Sequence, residues 1–271
     1  MKGIRNRCLA YAAAAAFALL SILSLPHLYS LVVRRRLFRI GSSEHRKTVA
    51  RWSAWWGTLA FRVVTRILDV KVEFRLPEGI DAHDRERPFI VIANHQSSLD
   101  ILVMVGLMAE LGRIDFRWIL KRQLFSAPAI GRACKEMECG YVTRDGDGHD
   151  LDRVRRCAAV ARYDGSSVII FPEGTRFVSP KVGSGYARVL PPKTGGVRML
   201  RHEMPDHPVL SVTIGWDTDE NGKTMFDGAS YVGRTVTVEC AVIDDIDDAT
   251  VIDWLNDEWR RKDRRLVAAK R

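Results

Sequence analysis

Between about residues 70 and 245, short runs of β-branched and aromatic residues alternate with stretches whose apolar positions recur every three to four residues. The runs predict strands at 71–76 (KVEFRL), 89–94 (FIVIAN), 116–120 (FRWIL), 167–171 (SVIIF), 209–216 (VLSVTIGW) and 235–243 (TVTVECAVI). The periodic stretches predict helices at 98–111, 150–163 and 195–202. This alternation is the pattern of an α/β sheet with helices on its faces. Residues 179–196 (SPKVGSGYARVLPPKTGG) follow neither period. They are expected to form a long loop, and loops of that length often carry function.

The two ends follow other patterns. Residues 8–33 contain no Asp, Glu, Lys or Arg. As a helix they reach about 39 Å, enough to cross a hydrocarbon layer of about 30 Å, with Pro26 expected to kink or end the main helix. Lys2, Arg5 and Arg7 look like the start of a cleaved leader, but the apolar run is long for one and no small-x-small site follows. A retained anchor is expected. Arg34, Arg35, Arg36, Arg39, Arg46, Lys47 and Arg51 follow it closely, which puts the large domain on the cytoplasmic side. Trp52, Trp55, Trp56, Leu59 and Val63 then recur at helical spacing, with Arg51, Arg62 and Arg66 among them. This helix either lies at a membrane interface, with its Trp side chains at headgroup depth, or packs on the domain. The tail, DWLNDEWRRKDRRLVAAKR, predicts a basic amphipathic helix, solvated outside and packed by Trp254, Leu255 and Trp259. The chain therefore divides into an anchor segment (1–40), an amphipathic interfacial helix (41–70), an α/β domain (71–245) and a basic C-terminal helix (246–271).

A chain of 271 residues suits one α/β domain with an appendage. Charged residues at 28% exclude a polytopic membrane protein. A net charge of +9 favours anionic partners: nucleic acid, an anionic membrane surface or phosphorylated substrates. The five cysteines are scattered, with no CxxC pair and no zinc spacing, which suits buried or idle thiols.

The candidate chemistry gathers where strands end. In NHQSSLD the strand closes near Asn94, so His95 falls in the loop at its C-terminal end, where open α/β sheets place their sites. Ser97 or Ser98 is placed to cap the next helix, and Asp100 lies in its first turn. A carboxylate that holds an imidazole fixes its tautomer and leaves the other nitrogen basic enough to take a proton from a hydroxyl. In IIFPEGTRF, Glu173, Gly174, Thr175 and Arg176 follow a second strand. A glycine turn with free N–H groups, a hydroxyl and an arginine fork suits a phosphate. GYVTRDGDG offers a second arginine, Arg144. Its Asp/Gly run lacks the downstream Glu of a calcium loop. Lys121 and Lys193 are further candidate cations. No GxxxxGK[ST] phosphate loop and no GxSxG nucleophile turn occurs.

NHQSSLD, YVTR and FPEGTR, in this order and spacing, resemble the glycerolipid acyltransferase family, which includes the 1-acylglycerol-3-phosphate acyltransferases. The resemblance covers roughly residues 85 to 216. His95 and Asp100 match its His-x4-Asp motif, Tyr141-Val142-Thr143-Arg144 its second motif, Glu173-Gly174-Thr175-Arg176 its third, and HPVLSVTI its fourth. Thr143 stands where the family usually has Asp or another polar residue. The family implies a single mixed-sheet domain flanked by helices. It also implies transfer of a fatty acyl group from acyl-CoA or acyl carrier protein to a lysophospholipid hydroxyl, with no bound cofactor or metal. His95 would be the base, Asp100 its orienting partner, and Arg144 and Arg176 the phosphate clamp, with Glu173, Gly174 and Thr175 shaping the turn. The acceptor is expected to be 1-acylglycerol-3-phosphate, with lysophosphatidylglycerol or lysocardiolipin types as alternatives. Partners are then membrane lipid and the two substrates, not nucleic acid, on the cytoplasmic face of the inner membrane. Two rival classes stand beside this: a nucleic-acid-binding protein, suggested by charge alone, and an anchored scaffold that has lost the chemistry.

Overall fold

A computed structural model describes residues 2–77, 87–143, 148–218, 227–244 and 246–270. Seven strands form one sheet: β1 (Lys71–Arg75), β2 (Ile90–Ala93), β3 (Phe116–Lys121), β4 (Gly140–Val142), β5 (Ser167–Ile170), β6 (Val209–Trp216) and β7 (Thr235–Ile243). Their order is β1-β7-β6-β2-β5-β3-β4. From β6 to β4 the neighbours are parallel, whereas β7 is antiparallel to β6 and β1 parallel to β7, so the sheet is mixed. β2 lies at the centre and is buried on both faces. Phe89, Val91 and Ala93 point to one core and Ile90 and Ile92 to the other, which is why this stretch is apolar throughout instead of alternating.

Helices α1 (Lys2–Leu37), α2 (Ser42–Ile67), α3 (Asp100–Glu110) and α4 (Pro128–Glu136) cover the first face. Helices α5 (Asp150–Asp164), α6 (Thr194–Glu203) and α7 (Val251–Ala268) cover the second. β4 and α4 went unassigned from the sequence pattern. β4 has three residues, and the inner face of α4 is built from Ala129, Gly131, Ala133 and Cys134, which give little hydrophobic contrast. Gly131 is required there, since a Cβ would lie 2.2 Å from the Phe125 carbonyl oxygen.

The N-terminal segment settles two points of packing. α1 does not end at Pro26 but continues to Leu37. Proline removes one helical hydrogen bond, but Leu28, Leu31 and Val32 beyond it are buried, and this packing carries the helix on. In α2, Trp52 and Trp56 do not face outward but take the packed alternative: they stack at 6.1 Å, and Trp56 Nε1 donates to the Leu20 carbonyl of α1 at 3.2 Å. Only Trp55 of the three faces outward. Arg46 also turns inward, donating to Asp164 at 2.6 and 3.0 Å and to Glu138 at 2.7 Å. Arg117 of β3 meets the same Asp164 carboxylate, so α2, α5 and the sheet share one buried ionic cluster.

Candidate active site

β2 stops at Ala93, and the chain then turns over the carboxyl end of the sheet. Asn94, fully buried, ties this turn to β6: its Nδ2 donates to the Ile214 carbonyl at 2.9 Å and its Oδ1 accepts the Ile214 N–H at 2.7 Å. The His95 N–H donates to Glu173 Oε1 at 3.1 Å, and the His95 carbonyl accepts the Phe177 N–H at 2.7 Å. The loops that follow β2 and β5 are thereby stitched together.

Asp100 opens α3 with no exposed surface. Its Oδ2 accepts His95 Nδ1 at 2.9 Å and the N–H groups of Gln96 and Ser97 at 2.6 and 2.8 Å. Its Oδ1 accepts Trp216 Nε1 at 2.9 Å. The capping expected from Ser97 or Ser98 is not made: Leu99 stands at the N-cap with no side-chain cap, and Ser97 Oγ accepts the Leu99 N–H at 3.1 Å. An ionised carboxylate only accepts, so Nδ1 of His95 carries the proton and Nε2 is left as the basic nitrogen. The ring stacks on Phe171 at 4.3 Å, which fixes its plane.

Glu173, expected to shape its turn, also bonds outside it. Its carboxylate is buried, 3% exposed, and clamps two loops by accepting the N–H groups of His95 and of Leu190, each at 3.1 Å. Burial pushes its pKa up to about 8, with the charge of Asp100 adding to the rise and the two N–H groups opposing it. It therefore holds the two loops together. Gly174 takes the turn with φ 72°. Thr175 is exposed and Arg176 half-buried.

A cavity of about 1120 Å³ runs from this turn over the carboxyl end of the sheet, reaching residues of the first core such as Trp118 and of the second such as Ile119, Val154 and Ile170. His95, Gly174 and Arg176 line its polar end, with Lys121 from the end of β3 and Lys193 from the loop before α6. The remainder is largely apolar, with Val105, Phe116, Trp118 and Leu124 along it. α1 supplies part of the wall through Ala10, Ala13, Ala14, Phe17 and Ala18. The structure therefore unites His95, Asp100, Gly174, Arg176, Lys121 and Lys193. Arg144, the other expected phosphate ligand, lies outside the described residues.

The sequence reading missed three contributors. Trp216 holds the outer oxygen of Asp100. Asp263 of α7 accepts three successive N–H groups, those of Ala187 at 3.0 Å, Arg188 at 2.6 Å and Val189 at 3.2 Å. It fixes the loop whose Arg188 carbonyl accepts Gln96 Nε2 at 2.6 Å and whose Leu190 N–H binds Glu173. Lys262, with no exposed surface, donates to the Val212 carbonyl at 2.6 Å, and burial pulls its pKa down to about 8. The signal was present in α7. Leu255, Trp259, Lys262, Asp263 and Leu266 fall on one stripe at helical spacing, so a charged pair sits on the buried face of a helix expected to keep its charges in solvent.

The Acyltransferase family model matches residues 71–215, from β1 through nearly all of β6 and across both stitched loops. The 1-acyl-sn-glycerol-3-phosphate acyltransferase LPAT1, chloroplastic, of Arabidopsis thaliana is 34% identical over 99 residues, covering 36% of this chain and 26% of that protein. The 1-acyl-sn-glycerol-3-phosphate acyltransferase alpha of Homo sapiens is 33% identical over 107 residues, covering 40% of this chain and 35% of that protein. These matches span about a quarter to a third of the relatives' own lengths. The fold is shared with the crystal structure of the 1-acyl-sn-glycerophosphate (LPA) acyltransferase PlsC from Thermotoga maritima, at a TM-score of 0.62 and 22% identity over 98% of this chain and 99% of that one. With the family matched over more than half of its length, and the match containing both His95-Asp100 and Glu173-Gly174-Thr175-Arg176, the chain belongs to the acyltransferase family.

Proposed function

We propose that the protein transfers a fatty acyl group from a thioester, acyl-CoA or acyl carrier protein, to the free hydroxyl of 1-acylglycerol-3-phosphate at a membrane. One observation carries this: a His–Asp pair, its carboxylate buried and its imidazole facing the space, stands at the cationic end of a long, largely apolar cavity. The hydroxyl proton of the acceptor passes to His95 Nε2 as its oxygen attacks the thioester carbonyl carbon. The carbon–sulfur bond then breaks, and the thiolate takes the proton from Nε2. Asp100, held by its other three donors, stays ionised and stabilises the imidazolium. Arg176, with Lys121 and Lys193 on the same cavity, meets the acceptor phosphate. The acyl chain lies in the apolar portion, gaining about 0.8 kcal/mol per buried methylene. The names of the relatives agree with this acceptor.

The membrane placement rests on α1, which from Gly3 to Leu37 is long and apolar enough to cross a bilayer, and on the basic residues behind it, which favour the cytoplasmic face of the inner membrane. The test is release of free thiol from a long-chain acyl-CoA by detergent-purified protein, with lysophosphatidic acid, lysophosphatidylglycerol, lysocardiolipin and a monoacylglycerol as acceptors. Lysophosphatidic acid is expected to react fastest, and Arg176→Ala to raise its KM about tenfold, as loss of one charge-assisted contact should. Equal rates with the phosphate-free acceptor would overturn the phosphate role. Turnover with acyl carrier protein alone would assign the donor.

A further inference from the structure

A second, smaller space opens on the outer side of α2. This cleft, about 350 Å³, lies between α2, the C-terminal end of α3 and the start of β3. Its floor is apolar, formed by Ala54, Val105, Ala109 and Phe116. Val105 and Phe116 also line the catalytic cavity, so the two spaces share a wall without sharing the polar end that holds His95. α2 and α3 can approach this closely because Gly57 lies against Val105, where a Cβ would come within 2.9 Å of Cγ1.

The rim has the opposite character. Arg51 and Arg62 stand on it, with Trp55 and Leu59 between them. Trp55 is 59% exposed, and Ile114 across the cleft 49%. From Lys47 to Ile67 the helix carries four basic residues and no acidic one. The bond described for Arg51 is a long one, 3.4 Å, to the Thr48 hydroxyl, and among the described residues neither Arg51 nor Arg62 has a carboxylate partner. The Trp55 ring lies 6.5 Å from that of His27 on α1, so the rim continues into the outward side of the apolar helix. Dry floor, arginine forks at the mouth and an amphipathic indole between them match an acyl chain that ends in a phosphate. A net negative headgroup adds to that match, since basic residues at a membrane surface are drawn to anionic lipid.

We propose that this cleft holds one anionic phospholipid of the surrounding bilayer. Its headgroup phosphate lies at the rim that Arg51 and Arg62 make basic, and the first part of one acyl chain lies on Ala54, Val105 and Ala109. Such a site needs the membrane placement proposed above and is independent of acyl transfer.

The test titrates full-length protein in detergent with dioctanoylphosphatidylglycerol, with dioctanoylphosphatidylcholine and with inorganic phosphate, following bound lipid by native mass spectrometry. The glycerol lipid is expected to bind at least tenfold more tightly than the choline lipid. Arg51→Gln combined with Arg62→Gln is expected to weaken it at least tenfold while the thermal transition stays in place, because both side chains are at the surface. Equal binding of the two lipids would overturn the site. So would competition by inorganic phosphate at equal strength, which would mark an unspecific anion site. Loss of binding in Arg176→Gln instead of the arginine pair would place the lipid in the catalytic cavity and overturn the proposal equally.

Discussion

Asp100 binds four donors, of which His95 is one. Two are its near neighbours in sequence, and the fourth, Trp216, lies 116 positions away at the end of β6. The Trp216 indole is itself held edge-on by Tyr231 at 4.6 Å. Trp216→Phe keeps an aromatic ring against Tyr231 and removes the N–H together with part of the indole. One buried carboxylate oxygen is then unpaired, at about 1–3 kcal/mol, and the aim of the carboxylate loosens. The variant is expected to lower kcat about tenfold with little change in acceptor KM; an unchanged kcat in steady-state thiol release would show that the indole bond is idle. The His95–Asp100 pair was legible because five positions between a strand end and a helix start bring the two together locally. Trp216 was not, since its role follows from strand pairing across the sheet. Glu173 was legible as part of a turn but not in its direction, which depends on where the Leu190 N–H arrives from a loop seventeen positions on.

At the scale of elements, α7 acts as a latch on the long loop. Asp263 takes three consecutive N–H groups that have no strand or helix to satisfy them, and that loop in turn reaches Gln96 and Glu173. Asp263→Ala should leave those amides to water. Their hydrogen exchange is expected to speed up about tenfold or more, with a higher acceptor KM, because Lys193 lies at the end of the same loop. Protection left intact in the variant would contradict the latch. The loop itself was visible as a stretch rich in Gly, Ser and Pro. Its anchor was hidden because KD within RRKDRR looks like one more part of a solvated basic face, and only the stripe through Leu255, Trp259 and Leu266 shows that it turns inward.

For the whole molecule, the apolar N-terminal helix is a wall of the cavity beside His95 as well as a candidate membrane span. The alternation of strands and helices gave the sheet and both of its covered faces, because each pattern is local. The docking of α1 was not legible: an alanine-rich stretch is apolar all round and marks no inner side. The small residues explain the packing, since Ala10, Ala13 and Ala14 leave room beside Phe17 for the cavity. Ala14→Trp should fill part of that room. It is expected to lower kcat/KM for long-chain acyl thioesters several-fold more than for short-chain ones, because overpacking costs about 1–3 kcal/mol only where the chain would lie. Equal losses at every chain length would place the acyl group elsewhere.

The central claim is that His95 takes the acceptor's proton. Its most direct test is the rate of thiol release from a long-chain acyl-CoA with lysophosphatidic acid, wild type against His95→Ala, with thermal unfolding as the check on folding. His95→Ala is expected to unfold as the wild type does and to lose at least ~10²–10⁴-fold in kcat. A folded variant that keeps wild-type turnover would contradict the account.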